Sequence, residues 1–197
     1  MPAVIRRDDG SFGLDFDRPQ TIGKVRAFTG PFGVFVRSYA YIRMWGPRLR
    51  EMSEVAVLNA NYVLARLKDA YDLPFDRLCM HEFVLSARSL KREHGITATD
   101  VAKRLMDYGY HPPTVYFPLV VPEALMVEPT ESEARETLDA FAEAMLAIAR
   151  EAAEQPDLVK SAPHVTRVGR LDEVRAAKNP IVRAELGESR PPSGARS

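Results

Sequence analysis

Apolar residues recur at helical spacing in two long segments of the chain, and a third segment is apolar on almost every side. The clearest stripe lies between residues 131 and 154 and consists of Leu138, Phe141, Met145, Ile148 and Ala152. A second stripe lies between residues 47 and 71 and consists of Val55, Leu58, Tyr62 and Ala65. Residues 34–45 are apolar all round, which is typical of a helix that other protein covers on every side. We therefore predict three long helices.

A helix followed by two short strands is predicted before the last of these helices. Val101, Leu105 and Tyr108 share one helical face, and glycine at position 109 favours the end of that helix. Residues 114–121 and 125–127 are rich in β-branched and apolar residues and predict two strands joined by a tight reversal. Residues 80–87 alternate well enough to predict an earlier strand, and the charged residues 88–95 predict a loop.

Two Thr-x-x-acid sequences predict helix starts, because each can form a capping box with the backbone. The first runs from Thr97 to Asp100, and the second from Thr130 to Glu133. With the helices and strands above, they indicate an α+β fold in which helices cover a short antiparallel sheet. We predict an extended arm at 1–22, linking helices at 23–71, an α+β domain at 72–183 and a disordered tail at 184–197.

Composition excludes several classes of protein. The chain has 197 residues with 27 basic and 27 acidic side chains, so it lacks the positive charge expected of a nucleic-acid-binding protein. No apolar run is long enough to cross a membrane, and from the charged residues near the start we expect no signal peptide. A single cysteine, Cys79, has apolar neighbours, which favours an inert thiol in a reducing compartment. We expect a cytoplasmic protein.

Two histidines are candidate site residues. None of the four histidines in the chain has zinc-type spacing, so a structural zinc site is not expected. His111 precedes Pro112 and Pro113, which hold it in a pre-organised extended turn, although a purely structural turn explains the same sequence. His81 opens a predicted strand, where a structural histidine is the simpler interpretation.

Gly30 and Gly33 lie just before the apolar helix at residues 34–45. Free amides at a helix start can bind phosphate, but on spacing alone the two glycines are better explained as an ordinary chain break before a helix. The chain has no glycine-rich nucleotide motif, no serine nucleophile motif and no lysine in an apolar setting. Its residues alone therefore indicate an α+β portion of a larger protein.

A family resemblance is carried by five stretches: GKVRAFTGPFGVFVRSYAYIRMWG, SEVAVLNANYVLARL, MHEFVLS, DVAKRLMDYGYHPPTVYFPLVVPEALMVEPTESE and APHVTRVGRLDEVRAAKNPIVR. Together they resemble the C-terminal part of the glycine decarboxylase P-protein family, in the form of subunit 2 of two-subunit glycine dehydrogenases. The resemblance implies the small C-terminal domain of the fold-type-I (aspartate-aminotransferase-like) architecture, with pyridoxal phosphate as cofactor. It further implies decarboxylation of glycine and transfer of the aminomethyl group to the lipoyl group of H protein.

The resemblance begins after the position of the family's cofactor-binding lysine, so we expect a fragment or subunit that is inactive without the missing cofactor domain. Its expected partners are that domain or chain, glycine dehydrogenase subunit 1, lipoylated H protein and glycine, with no nucleic acid and no membrane. The resemblance places Gly30 and Gly33 near the cofactor phosphate, and His81 and His111 near the substrate. Two alternatives are a non-catalytic interaction or dimerisation module and a part of another fold-type-I amino-acid decarboxylase.

Overall fold

The computed structural model describes residues 3–23 and 30–183, and these residues form two compact units that meet in sequence between Leu49 and Arg50. The N-terminal unit contains strands β1 (Ala3–Arg6) and β2 (Phe12–Asp15), helix α1 (Phe32–Trp45) and a 3₁₀ turn (Gly46–Arg48). Helix α2, predicted as one of the linking helices, contributes Ala60, Val63, Leu64 and Leu67 to the core of the C-terminal unit. The predicted tail at 184–197 lies outside the described residues.

The segment predicted as an extended arm contains an antiparallel hairpin. Strand β1 pairs with β2, with Ala3 opposite Asp15 and Arg6 opposite Phe12. The Asp9 carboxylate stabilises the turn by accepting hydrogen bonds from the Ser11 amide at 2.9 Å and the Ser11 hydroxyl at 2.7 Å. The alternation of apolar and polar residues in this segment was too weak to predict the hairpin. The contacts of Asp9 with Ser11 in the turn stabilise it instead.

Helix α1 is apolar on almost every side, yet none of its residues is buried within the chain. Its exposed large apolar side chains are Phe32, Val34, Phe35, Val36, Tyr39, Ile42 and Met44. Apolar surface of this extent on a single helix is typical of a site that another protein surface covers.

We expect the isolated chain to self-associate through α1. Replacing Phe35 and Ile42 by glutamate should shift the chain toward monomer in light scattering, because charge on this surface opposes its burial in a contact. Leu58→Glu is the matched control: Leu58 is exposed on α2, outside this surface, and its replacement should leave the mass distribution unchanged. A stable monomer of the parent chain at moderate concentration would contradict the prediction.

The C-terminal unit contains most of the regular structure. Its elements are α2 (Leu49–Leu67), β3 (Phe83–Ser86), α3 (Arg88–His94), α4 (Ala98–Asp107), β4 (Thr114–Val115), β5 (Ala124–Val127), α5 (Arg135–Glu154), α6 (Pro156–Ser161) and α7 (Glu173–Lys178). The three strands form an antiparallel sheet in the order β3–β5–β4. The predicted α+β fold, a short antiparallel sheet with helices, is therefore confirmed.

The core lies between this sheet and the helices α2 to α6. Its largest fully buried side chains are Val63, Leu67, Leu85, Ile96, Val101, Leu105, Leu125, Met145, Ile148 and Val159. The predicted stripe of α5 is confirmed at Leu138, Met145, Ile148 and Ala152. Burial of such side chains stabilises a fold by roughly 1.5–3 kcal/mol each.

Helix α2 buries a different face from the predicted one. Its buried residues are Ala56, Asn59, Ala60, Val63, Leu64 and Leu67, whereas Leu58 of the predicted stripe is exposed. The buried alanines Ala56 and Ala60 lie outside the predicted stripe. Two asparagines point toward the interior of the unit because they bond to backbone groups of other segments.

Two of the predicted elements and one of the two predicted capping boxes are wrong. The charged segment 88–95 is helix α3, which Gly95 ends in the left-handed conformation with a φ of 71°. The strand predicted at 114–121 stops at Val115, because Tyr116 has a φ of 57° and leaves the extended conformation. Of the two capping boxes, the one at Thr97 and Asp100 is confirmed.

The second capping box, at Thr130 and Glu133, does not form. Helix α5 begins at Arg135 without a side-chain cap. The Thr130 hydroxyl instead lies 2.8 Å from the Ser132 hydroxyl, and the Thr130 carbonyl accepts a hydrogen bond from Asn59 at 2.9 Å. These contacts leave the residues before α5 in a turn rather than in helix.

Four polar residues form a mostly buried cluster between α4 and α5, which we name the Arg104 cluster: Arg104, Asp107, Tyr108 and Glu151. Arg104 donates two hydrogen bonds to Glu151, at 2.8 and 2.9 Å, and one to Asp107 at 3.0 Å. Tyr108 donates to Glu151 at 2.7 Å. The Arg104 hydrogen bonds hold the pKa of Glu151 below its usual range against the opposing effect of burial. This network connects the two helices through charge rather than through apolar contact alone.

Asp107 also forms hydrogen bonds with the segment that follows α6. Its carboxylate accepts hydrogen bonds from the amides of His164, at 2.6 Å, and Val165, at 2.9 Å. Burial raises the pKa of Asp107, but these two amides and Arg104 together lower it below its usual range. Further along, Arg170 lies 2.7 Å from the buried carboxylate of Asp100. The segment 164–170 is thus attached to both ends of α4.

Candidate functional site

A cleft of about 430 Å³ opens where the end of α4, strands β4 and β5 and the start of α5 meet. Its lining residues are Tyr110, His111, Pro112, Pro113, Thr114, Met126, Val127, Glu128, Pro129, Thr130, Glu133, Thr137, Leu138 and Phe141. Concave sites with an apolar floor and a few polar groups are where small ligands usually bind. The cleft is therefore the candidate site of the C-terminal unit.

His111 reaches the cleft because the chain turns sharply after α4. Gly109 has a φ of 83°, a conformation that glycine adopts readily, and the Tyr110 amide donates to the Leu105 carbonyl at 3.3 Å. The Tyr110 ring then packs edge-on against Phe141 of α5, with ring centres 5.4 Å apart. Pro112 and Pro113 extend the chain from His111 into β4. The imidazole is exposed at the cleft rather than covered by the core.

His81 lies beside the cleft, next to one of its carboxylates. Its Nε2 atom is 3.8 Å from Oε1 of Glu128, and both side chains are 56% exposed. Glu128 follows β5 directly and lines the cleft. The structure therefore brings the two histidines predicted as site residues to the same region of the C-terminal unit.

Glu128 was missed by the sequence reasoning, although it bears directly on the site. The pattern that could have indicated it is its place immediately after a buried strand, where side chains commonly reach a site at the sheet edge. Glu133, assigned to a helix cap from the sequence, is a second carboxylate of the cleft. Among the described residues that line the cleft, none is lysine or arginine. The cleft is consequently suited to a ligand that carries a positive group.

The two glycines predicted near a phosphate belong to the N-terminal unit. Gly30 has a φ of 127°, and a Cβ atom at this position would overlap the Phe35 ring, so glycine is required there. A Cβ at Gly33 would meet open space. The first turn of α1 contains no acidic residue, and Pro31 provides no side-chain cap for it. These features leave the start of α1 able to accept an anion.

The described part of the chain does not indicate a metal site or a reactive thiol. No group of three or more histidine, cysteine or acidic side chains among these residues could hold a metal ion. Burial raises the pKa of the Cys79 thiol, which disfavours the reactive thiolate. None of the described helices is long and apolar enough to cross a membrane.

The sequence profile described as "Glycine dehydrogenase, C-terminal domain" matches residues 52–164. This range contains the cleft, His81, His111 and Glu128, and it begins after Gly30 and Gly33. Because the match covers more than half of the chain, the chain belongs to the family of the glycine dehydrogenase C-terminal domain.

Curated relatives are similar over almost the whole chain. The chain is 57% identical over 183 residues to "Probable glycine dehydrogenase (decarboxylating) subunit 2" of Halalkalibacterium halodurans. It is 55% identical over 183 residues to the protein of the same name in Lysinibacillus sphaericus. Each match covers 92% of this chain but only 37% of the relative, so the chain spans little more than a third of the length of these proteins.

A solved structure shares the fold. It is the crystal structure of glycine decarboxylase (P-protein) of the glycine cleavage system in inhibitor-bound form, and it matches with a TM-score of 0.51 at 18% sequence identity. The match covers 75% of this chain and 35% of that chain. The C-terminal architecture of P-protein that the sequence resemblance implied is thus confirmed at the level of the fold.

Proposed function

We propose that this chain is the C-terminal part of a pyridoxal-phosphate-dependent glycine dehydrogenase of the two-subunit type. In such an enzyme the chain would form the C-terminal part of subunit 2. In this function the enzyme decarboxylates glycine and transfers the aminomethyl group to the lipoyl group of H protein. The observation that carries the proposal is the 57% identity over 183 residues to a protein named as that subunit. Subunit 1, lipoylated H protein and the preceding cofactor domain are its proposed partners, and the cytoplasm is its proposed compartment.

The residues at the start of α1 fit one part of pyridoxal phosphate. Gly30 and Gly33 would hold the phosphate, because an uncapped helix start without acidic residues attracts an anion and the Gly30 conformation lets the backbone come close. No lysine of this chain is proposed to bond to the cofactor. When bound, pyridoxal phosphate supplies the electron sink for the negative charge that remains on glycine after carbon dioxide leaves.

The residues of the cleft would serve the substrate side. His111 is proposed to orient glycine, because the two prolines that follow fix the direction from which its imidazole meets the cleft. The apolar side chains Met126, Leu138 and Phe141 would exclude water and so strengthen the polar contacts made inside. His81 and Glu128 would act at the rim of the cleft, where their side chains meet.

The test is reconstitution of the enzyme with and without this chain. Labelled bicarbonate exchanges into glycine when glycine decarboxylase is active, so we expect exchange only when the cofactor domain, subunit 1, H protein and this chain are present together. The chain alone, mixed with pyridoxal phosphate, should show neither exchange nor the absorbance of a lysine-bound cofactor. A complete assembly that exchanges no label would refute the proposal and favour an interaction module, and decarboxylation of a larger amino acid instead would favour another enzyme of the same fold type.

A further inference from the structure

Asn61 of α2 fixes the backbone just before His81. Its side-chain oxygen accepts a hydrogen bond from the Cys79 amide at 3.0 Å, and its Nδ2 donates to the Cys79 carbonyl at 2.8 Å. The same Nδ2 also donates to the Val57 carbonyl within α2 at 2.8 Å, which holds the side chain in place. One amide side chain thus occupies both backbone groups of a residue that lies in a loop, two positions before His81.

Asn59 contacts the segment after Glu128 through a single hydrogen bond. It is only 8% exposed, and its Nδ2 donates to the Thr130 carbonyl at 2.9 Å. Thr130 lies two positions after Glu128. Side chains two residues apart on a helix point in different directions, so Asn59 and Asn61 reach two different segments from the same turn of α2.

The sheet alone does not fix the contact between His81 and Glu128. Phe83 of β3 pairs with Val127 of β5, and this is the last paired position of the ladder on that side. His81 and Glu128 both lie beyond it, where ladder hydrogen bonds no longer set the position of the chain. The two asparagines act on these unpaired segments, and Nε2 of His81 lies 3.8 Å from Oε1 of Glu128.

We propose that Asn59 and Asn61 are positioning residues that hold His81 and Glu128 together as a proton-accepting pair for the amino group of a ligand in the cleft. This inference rests on the proposed function and deepens it, since glycine reaches the site as an ammonium ion and reacts as a neutral amine. Glu128 lines the cleft and can bind the ammonium group, and among the described lining residues there is no lysine or arginine to repel that charge.

The proton transfer balances within these groups. One N–H bond of the ammonium breaks and one Nε2–H bond forms on the neutral imidazole of His81, so the positive charge moves from the ligand to the histidine. The Glu128 carboxylate balances that charge before and after the transfer. The other titratable groups nearby are Glu82 and Cys79 on the His81 segment, and Tyr110, His111 and Glu133 in the cleft.

The first experiment uses the full chain and nuclear magnetic resonance. The imidazole signals of His81 are assigned from their loss in His81→Ala, and the nuclear Overhauser contact between this ring and the Glu128 side chain is measured. We expect the contact in the parent and in the control Asn179→Ala, an exposed asparagine at the end of α7. It should be lost in Asn59→Ala and Asn61→Ala while circular dichroism remains that of the parent. Retention of the contact in both variants overturns the proposed positioning role.

A ligand titration with glycinamide, an amine without a carboxylate, tests the cleft directly. Glycinamide should shift the His81 signals of the parent chain and should leave them unchanged in Glu128→Gln, which lacks the negative charge. Equal shifts in both chains overturn the assignment of Glu128 as the amine-binding group. This measurement needs neither cofactor nor catalytic activity.

The third experiment uses the reconstituted enzyme and tests proton transfer. Asn61→Ala and His81→Ala should each lower kcat/KM for glycine at least about tenfold, with Asn179→Ala unchanged. Added imidazole should restore His81→Ala in part, and it should not restore Glu128→Gln; a purely structural histidine would show no such rescue. A parent enzyme without activity overturns the proposed function, whereas an active parent with a fully active or unrescued His81→Ala overturns this inference alone.

Discussion

Replacing Arg104 by alanine should lower the free energy of unfolding of the chain by about 3 kcal/mol, because the change leaves two carboxylates without their positive partner in a mostly buried place. The side chains of Arg104, Asp107 and Glu151 are only 15%, 3% and 17% exposed. Water therefore cannot replace the lost hydrogen bonds well. Urea unfolding followed by circular dichroism gives the free energy of unfolding for both chains.

Arg50→Ala is the matched control for this prediction. Arg50 also bonds to a glutamate, Glu54, at 2.7 Å, but its side chain is 89% exposed. An exposed ion pair contributes about 0–1 kcal/mol, so Arg50→Ala should change the free energy of unfolding very little. If Arg104→Ala changed the free energy of unfolding as little as Arg50→Ala does, the Arg104 cluster would not be important for stability.

The pH dependence provides a second check on the same cluster. Arg104 lowers the folded-state pKa of Glu151, so the resulting stabilisation is complete above the unfolded-state pKa of about 4.3 and is lost as the pH falls through the lowered value. In Arg104→Ala the folded-state pKa should return toward the unfolded one. The loss of stability on acidification should then be smaller than in the parent.

Replacing His111 by asparagine should lower turnover of the reconstituted enzyme at least about tenfold, which corresponds to about 1.4 kcal/mol of activation free energy. The physical reason is the loss of an imidazole whose direction toward the cleft Pro112 and Pro113 have set in advance. Because His111 is exposed and outside the core, the melting temperature and the cofactor absorbance should remain close to those of the parent.

Melting temperature and turnover must be measured on the same preparation. A lower melting temperature with unchanged turnover per folded enzyme would show that His111 is a structural turn residue. His94→Asn is the matched control, since His94 lies in the last turn of α3 and does not line the cleft. It should affect turnover no more than about twofold, the size of an ordinary surface substitution.

The sequence allowed the long helices and the fold class to be predicted, since apolar spacing depends only on which face of an element meets the core. Met145 and Ile148 of α5 illustrate this, and both are fully buried. Strand β4 and helix α3 were not predicted correctly, because their extent depends on one backbone conformation at Tyr116 and on tertiary contacts of Leu90. Neither has a periodic signal of its own.

The candidate site was predicted only in part. The Pro-Pro sequence indicated His111 through a local restriction of the backbone, which is visible in the sequence. Glu128 and the two asparagines act through contacts with residues far away in sequence, such as the one between Asn59 and Thr130. A contact of that kind leaves no local pattern, and for this reason it emerges only from the folded chain.

The carboxylate of Asp107 has a practical consequence for anyone who shortens this protein. The family match ends at residue 164, yet Asp107 binds the amides of both His164 and Val165, and Arg170 neutralises the buried Asp100. A version cut after residue 164 would remove the Val165 amide from Asp107 and the Arg170 guanidinium from Asp100. The smallest version of the C-terminal unit that keeps these contacts therefore extends at least through Arg170.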